Sequence, residues 1–198
     1  MRFLSPANGA PRLSLHEYLN LCVTHFCRYR KHYLIPLAAV FLLQFVIRID
    51  VNYTESLPDH VFITVKGMKS GLKRGDYVAY TFPTENPVSP FRKGDHMVKI
   101  VVGVAGDRVV MSPEQGFSII APDDSPALSQ IPGSGSSLGI AKKYSRTGKP
   151  LEPGPVGVIP EGSFYVYAPH KDSLDSRYAM VGWISQEQDV IGRTFSLF

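Results

Sequence analysis

The sequence predicts a mostly β body behind one N-terminal helix, and three observations carry that prediction. Up to residue 51, apolar residues recur at helical spacing and then fuse into a single run. Beyond it, short apolar stretches alternate with turns rich in Gly, Pro, Asn and Asp, and no helical period survives. The charge divides at the same place. Residues 1–49 hold six basic residues against Glu17 alone, an excess of five, whereas the other fifteen basic and sixteen acidic residues leave the body at −1.

The overall charge of +4 is therefore an N-terminal flank, which acts as an orientation signal beside an apolar segment. It is not a basic stripe, which argues against nucleic acid as a partner. The chain of 198 residues, 44% of them hydrophobic, has room for one membrane segment and one domain with a sizeable core. Its two cysteines, Cys22 and Cys27, both precede the apolar run, so the body must be stable without disulfides. Packing residues explain the pair better than a metal site, and no metal-ligand spacing or phosphate-binding glycine loop occurs elsewhere. The sequence calls for no cofactor.

Residues 1–12 read as a flexible start, and Leu15, Leu19, Cys22 and Phe26 give a juxtamembrane helix within a segment 1–31 expected on the cytoplasmic side. Arg28, Arg30 and Lys31 precede the run Tyr33–Ile47. Fifteen residues make about 22 Å of helix, short of a hydrocarbon core of about 30 Å. Extension through Val51, with Lys31 and Arg48 snorkelling, brings residues 32–51 to spanning length. A cleavable signal peptide is the competitor, but Arg48-Ile49-Asp50-Val51-Asn52 has no A-x-A-like site. An uncleaved transmembrane anchor is expected, with residues 52–198 outside.

In the body, strands are expected at 61–65, 77–82, 97–104, 108–111, 117–120, 139–141, 156–159, 164–168, 178–184 and 190–195. Residues 112–155 read as a more variable part.

Three places carry candidate chemistry. Ser56 lies in Tyr53-Thr54-Glu55-Ser56-Leu57-Pro58, where Pro58 stiffens the turn and presses Leu57 toward extended geometry. Lys99 sits within the apolar strand Met97–Val104, and alternation places Met97, Lys99 and Val101 on one face. If that face is the core, desolvation lowers the ammonium pKa, and a neutral lysine can accept a serine proton. The competing reading is an edge-strand lysine that snorkels to water. The third place is Asp172-Ser173-Leu174-Asp175-Ser176-Arg177-Tyr178, where Asp175 and Arg177 are spaced to pair and Ser173 is able to donate to a neutral lysine. A Ser-His-Asp triad from Ser56, His96 or His170, and Asp107 or Asp172 is the rival, without a Gly-x-Ser-x-Gly elbow to support it.

In order, the anchor, Ser56-Leu57-Pro58, Gly75-Asp76-Tyr77-Val78, Lys99 to Asp107 and Asp172 to Tyr178 resemble the bacterial signal peptidase I family. Ser-Leu-Pro and the closing Ile191-Gly192-Arg193 look most like the TraF-type peptidases of conjugative transfer systems. The resemblance implies coiled antiparallel β-sheets, with Ser56 as nucleophile and Lys99 as general base. It also implies an oxyanion hole from the Ser56 N–H and Thr54, supported by Ser173, Asp175 and Arg177. The implied setting is the periplasmic side of a bacterial inner membrane, in contact with its lipid. There the enzyme would cleave, and in this subfamily sometimes cyclise, an exported prepilin beside a conjugative secretion apparatus. Departures at Ala105, Ile100, Met180 and Pro169-His170-Lys171 speak against a housekeeping role. A general signal peptidase acting on many preproteins and a non-catalytic β scaffold are the alternatives.

Overall fold

A computed structural model describes residues 14–52, 56–123 and 137–197. Two compact units divide the chain at residues 44 and 45. The first is dominated by helix α1, Leu15–Val46. Its start is a capping box: the Glu17 carboxylate accepts from the Ser14 N–H (2.8 Å), and the Ser14 hydroxyl accepts from the Glu17 N–H (3.3 Å). These bonds hold the Glu17 carboxyl below its usual range. No residue of α1 is buried.

The expected span 32–51 is corrected here. The helix ends at Val46, and Ile47–Val51 form strand β1, so the apolar part of α1 is Tyr33–Val46. That is about 21 Å of helix, preceded by Arg28, Arg30, Lys31 and His32. Among the described residues no helix is long and apolar enough to cross a membrane. Strand won over helix at 47–51 because each of its residues pairs with β2, Val61–Lys66, in unbroken antiparallel register from Ile47↔Val65 to Val51↔Val61.

The second unit holds the remaining strands: β3 (Tyr77–Thr81), β4 (His96–Gly103), β5 (Arg108–Met111), β6 (Gly116–Ile120), β7 (Gly139–Ile140), β8 (Gly157–Val158), β9 (Ser163–Tyr167), β10 (Ile184–Ser185) and β11 (Val190–Ser196). They form a seven-stranded sheet in the order β1-β2-β11-β3-β4-β9-β10 and a four-stranded sheet in the order β7-β6-β5-β8. Every strand pair described is antiparallel. Val78, Val101, Phe117, Ile119, Ile159 and Tyr165 belong to one buried cluster drawn from both sheets. Residues 112–155, read as variable, thus supply core side chains. The expected strand 178–184 is not formed: Tyr178 makes an isolated bridge to Pro153, and only Ile184–Ser185 pair as strand.

The sequence signposts have physical causes. At Gly192, where β11 shifts register, a Cβ would lie 1.9 Å from the Val65 carbonyl oxygen, so only glycine lets β11 pass β2. The next residue, Arg193, donates to Asp76 at 2.8 Å, which ties Ile191-Gly192-Arg193 to the Gly75-Asp76 turn. Asp107 is fully buried, paired with Arg74, and accepts from the Val104 N–H at 2.9 Å.

Candidate active site

Ser56 lies between β1 and β2, on the described segment 56–60 that leads into β2. The hairpin ladder continues one step past the strands, where the Asn52 N–H donates to the His60 carbonyl at 2.8 Å. The Asn52 side chain then donates to the carbonyls of Leu57 (3.1 Å) and Asp59 (3.2 Å). On the far side, the Tyr77 hydroxyl donates to Asp59 at 3.1 Å. Burial, and then the Asp59 carboxylate, push that phenol up to about 12. Leu57 is buried against Phe62 and Ala168, with Val98 and Ile100 beside them. An apolar anchor and a side-chain clamp thus fix the turn, and they leave Ser56 only 9% exposed. Thr54, the expected second oxyanion donor, lies outside the described residues.

Lys99 is 3% exposed. On β4, Met97, Lys99 and Val101 are buried while Val98 and Ile100 are half-buried, so the lysine occupies the core face and does not snorkel. β4 is an interior strand, with Lys99 opposite Val78 on β3 and Ile100 opposite Tyr167 on β9. Burial drives the ammonium pKa down to about 8; Asp175 opposes the shift and Arg177 adds to it. The amine donates to the Ser173 hydroxyl at 2.9 Å. A neutral amine that donates to Ser173 keeps its lone pair for another proton.

Asp175 and Arg177 pair as expected, and both are buried. Arg177 Nε and Nη2 donate to the two carboxylate oxygens at 2.8 and 2.9 Å, a bidentate geometry. Three further contacts lock the guanidinium and carboxylate: Arg177 Nη1 to the Leu138 carbonyl (2.9 Å), the Ala168 N–H to Asp175 (3.4 Å), and the Arg177 guanidinium over the Tyr167 ring at 4.8 Å. The segment is pinned on both sides. Ser176 exchanges hydrogen bonds with Val166 on β9, and the Gly154 N–H donates to the Arg177 carbonyl at 2.6 Å. Gly154 is required there, because a Cβ would lie 2.0 Å from the Ser176 carbonyl oxygen.

Ser56, Lys99 and Ser173 all line one cavity of about 970 Å³, which Met97, Val98 and Leu174 also line. His96, His170 and Asp172 border it too. The triad reading fails on connectivity: among the described residues no histidine ring is hydrogen-bonded to a carboxylate. His170 Nδ1 accepts from the Asp172 N–H at 3.2 Å, which leaves the proton of a neutral ring on Nε2 and deprives it of a basic site toward serine. Asp172 is taken up by Lys142 and Arg146, and Asp107 by Arg74. Among the described residues no group of three His, Cys, Asp or Glu side chains is placed to hold a metal ion.

The residues missed from sequence are Asn52, Leu138 and Tyr167, none of which belongs to a recognisable pattern. The cluster Lys142, Arg146 and Asp172 was also missed, although four basic residues between 142 and 149 stand out in an otherwise neutral body.

A buried serine on a clamped turn and a buried amine of lowered basicity thus line one cleft. The family of signal peptidases, peptidase S26, matches residues 29–198. The chain belongs to that family, which supports a peptidase function. No curated protein matches the chain.

Proposed function

We propose that the protein is a serine endopeptidase in which Ser56 is the nucleophile and Lys99 the general base. The observation that carries this reading is the state of Lys99: an amine held in the core, its pKa lowered to about 8, bound to Ser173 and bordering the cleft that Ser56 borders. In the proposed reaction the Ser56 hydroxyl attacks the scissile carbonyl as its proton passes to Lys99 Nζ. The tetrahedral oxyanion is met by the Ser56 backbone N–H, with Thr54 as the second donor. Collapse expels the amine, which takes the proton from Lys99, and water or a substrate amine then resolves the acyl-enzyme. Ser173 orients the amine, and the Asp175–Arg177 pair holds the segment that carries Ser173.

The proposed substrate is an exported precursor, in the TraF-type reading a prepilin of a conjugative apparatus. Ser56-Leu57-Pro58 and Ile191-Gly192-Arg193 support that reading. The proposed setting is the periplasmic side of a bacterial inner membrane, supported by the family match and by the basic flank ahead of the exposed apolar residues of α1. Co-expression with the precursor tests the core of the proposal. Ser56→Ala and Lys99→Ala should each leave it uncut while remaining folded. Processing by either variant at the wild-type rate removes the dyad. Processing of unrelated preproteins in cells depleted of their own leader peptidase would favour the housekeeping role.

A further inference from the structure

One wall of the cleft is built of cations that the proposed dyad does not use. Lys142, Arg146 and Lys149 line the same cavity as Ser56 and Lys99. They come from a single segment shaped by the tight turn 145–149, in which the Ser145 N–H donates to the Lys149 carbonyl (2.8 Å) and the Gly148 N–H to the Ser145 carbonyl (3.0 Å). The Lys142 N–H donates to the Tyr178 hydroxyl at 3.1 Å, which fixes the base of the segment. Among the described residues one carboxylate pairs with these cations. Asp172 accepts from both Lys142 and Arg146, the latter at 2.9 Å, and the two partners hold it well below the usual carboxylate range. It stays ionised, and the wall keeps an excess of two positive charges. The wall is also attached to the chemistry, because Asp172 directly precedes Ser173, the hydroxyl that receives the Lys99 hydrogen bond. Arg146 remains 82% exposed and Lys142 47%, so a ligand reaches them without displacing the core.

We infer that this wall is a specificity subsite for a carboxylate carried by the peptide substrate near its scissile bond. The inference rests on the peptidase reading of Ser56 and Lys99. The alternative occupant of a basic surface is anionic lipid, but these side chains border the cleft, where a bound peptide must pass. A carboxylate placed among exposed cations gains a modest, salt-sensitive preference, roughly three- to tenfold over its neutral isostere.

The test uses the full chain and fluorogenic peptides of one sequence with small residues at the scissile bond. A single Glu or Gln is scanned across positions on both sides, each peptide made with a free or an amidated C-terminus. The expected result is a Glu-over-Gln preference in kcat/KM at one position or on one side. A preference for the free C-terminus over the amide would identify the terminal carboxylate as the ligand. Arg146→Glu combined with Lys149→Glu should abolish or invert the preference, and about 1 M salt should flatten it. Arg146→Gln alone, at an exposed position, should weaken it and guards against misfolding of the double variant. Equal Glu and Gln rates at every position and with either terminus, or a preference unchanged in the variants, overturn the inference. So does charge-dependent recruitment to anionic vesicles without any peptide preference. Binding of the same peptides to Ser56→Ala, read by anisotropy, separates the two proposals. A charge preference in binding with no cleavage by the wild type sinks the peptidase reading and keeps the subsite; cleavage without charge preference does the reverse.

Discussion

Replacing Lys99 with methionine isolates the property on which the proposed chemistry depends. Methionine fills nearly the same space and carries no charge. Burial lowers the Lys99 pKa from 10.5 to about 8, so the folded protein holds its charged amine at a cost of about 3 kcal/mol. The sign follows from proton counts. Below pH 8 the lysine is protonated in both folded and unfolded chains, and the full cost is present. Between pH 8 and 10.5 the unfolded chain binds more protons than the folded one, so stability rises with pH, by at most about 1.4 kcal/mol per pH unit. Above 10.5 the cost is gone. The methionine variant lacks this term, although it leaves the buried Ser173 hydroxyl without its partner, a loss of about 1–3 kcal/mol that does not vary with pH. Urea unfolding of both proteins from pH 7 to 10.5 should therefore show the wild type gaining about 3 kcal/mol on the variant across that range. Parallel curves would mean that Lys99 titrates normally in the folded state, and the argument for it as a base at neutral pH would fall. The same group should govern activity, with kcat rising through pH about 8 as the amine loses its proton.

Three further outcomes follow from the contacts around it. Ser173→Ala removes the acceptor that orients the amine and should lower kcat roughly ten- to a hundredfold with little change in KM, while Ser173→Thr restores most of it; an unchanged kcat would make Ser173 a bystander. Asp175→Asn strips a buried guanidinium of its carboxylate and should cost about 3–5 kcal/mol in urea unfolding. Because Asp175 raises the Lys99 pKa, the surviving folded protein should show its acid limb of activity at lower pH, and a shift to higher pH would contradict the proposed electrostatics. Gly154→Ala forces a Cβ into the Ser176–Arg177 backbone and should destabilise by about 1–3 kcal/mol; a change under about 0.5 kcal/mol would show that the segment yields freely.

Much of the sheet was legible because interior strands leave plain marks. Val98, Val101 and Val102 on β4, and Phe164 to Val166 on β9, are apolar runs bounded by turns; Tyr77↔Ile100 pairs strands consecutive in the chain, whereas Ile100↔Tyr167 pairs β4 with β9 across four intervening strands. Tyr178–Ile184 carried the same mark and is not a strand. Its backbone is engaged locally, with the Val181 and Gly182 N–H groups donating to the Tyr178 carbonyl at 3.0 Å, and periodicity does not distinguish a folded turn of this kind from an extended run. The site was legible where one residue violated its surroundings. A lysine among valines is conspicuous, whereas Asn52, Tyr167 and the Leu138 carbonyl act through geometry that only the folded chain brings together.

The misreading at residues 47–51 bears most directly on mechanism. Ile47-Arg48-Ile49-Asp50-Val51 alternates apolar and charged residues, yet it follows an apolar run without a break, so a helix and a strand both fit. A helix there would have left Ser56 on a short tether of undefined direction. As a strand, it pairs residue for residue with β2 and passes its register to Asn52, whose backbone and side chain close the loop around Leu57 and Asp59. Lys99 is fixed two strands beyond β11 in the same sheet. The candidate nucleophile and base are thus positioned by one continuous hydrogen-bonded ladder, which makes Asn52 a positioning residue. Asn52→Ala removes both side-chain donations and should lower kcat roughly tenfold through misplacement of Ser56, with the pH midpoint of activity unmoved because Lys99 is untouched. A shifted midpoint, or full activity, would show that the loop is held by something other than this strand.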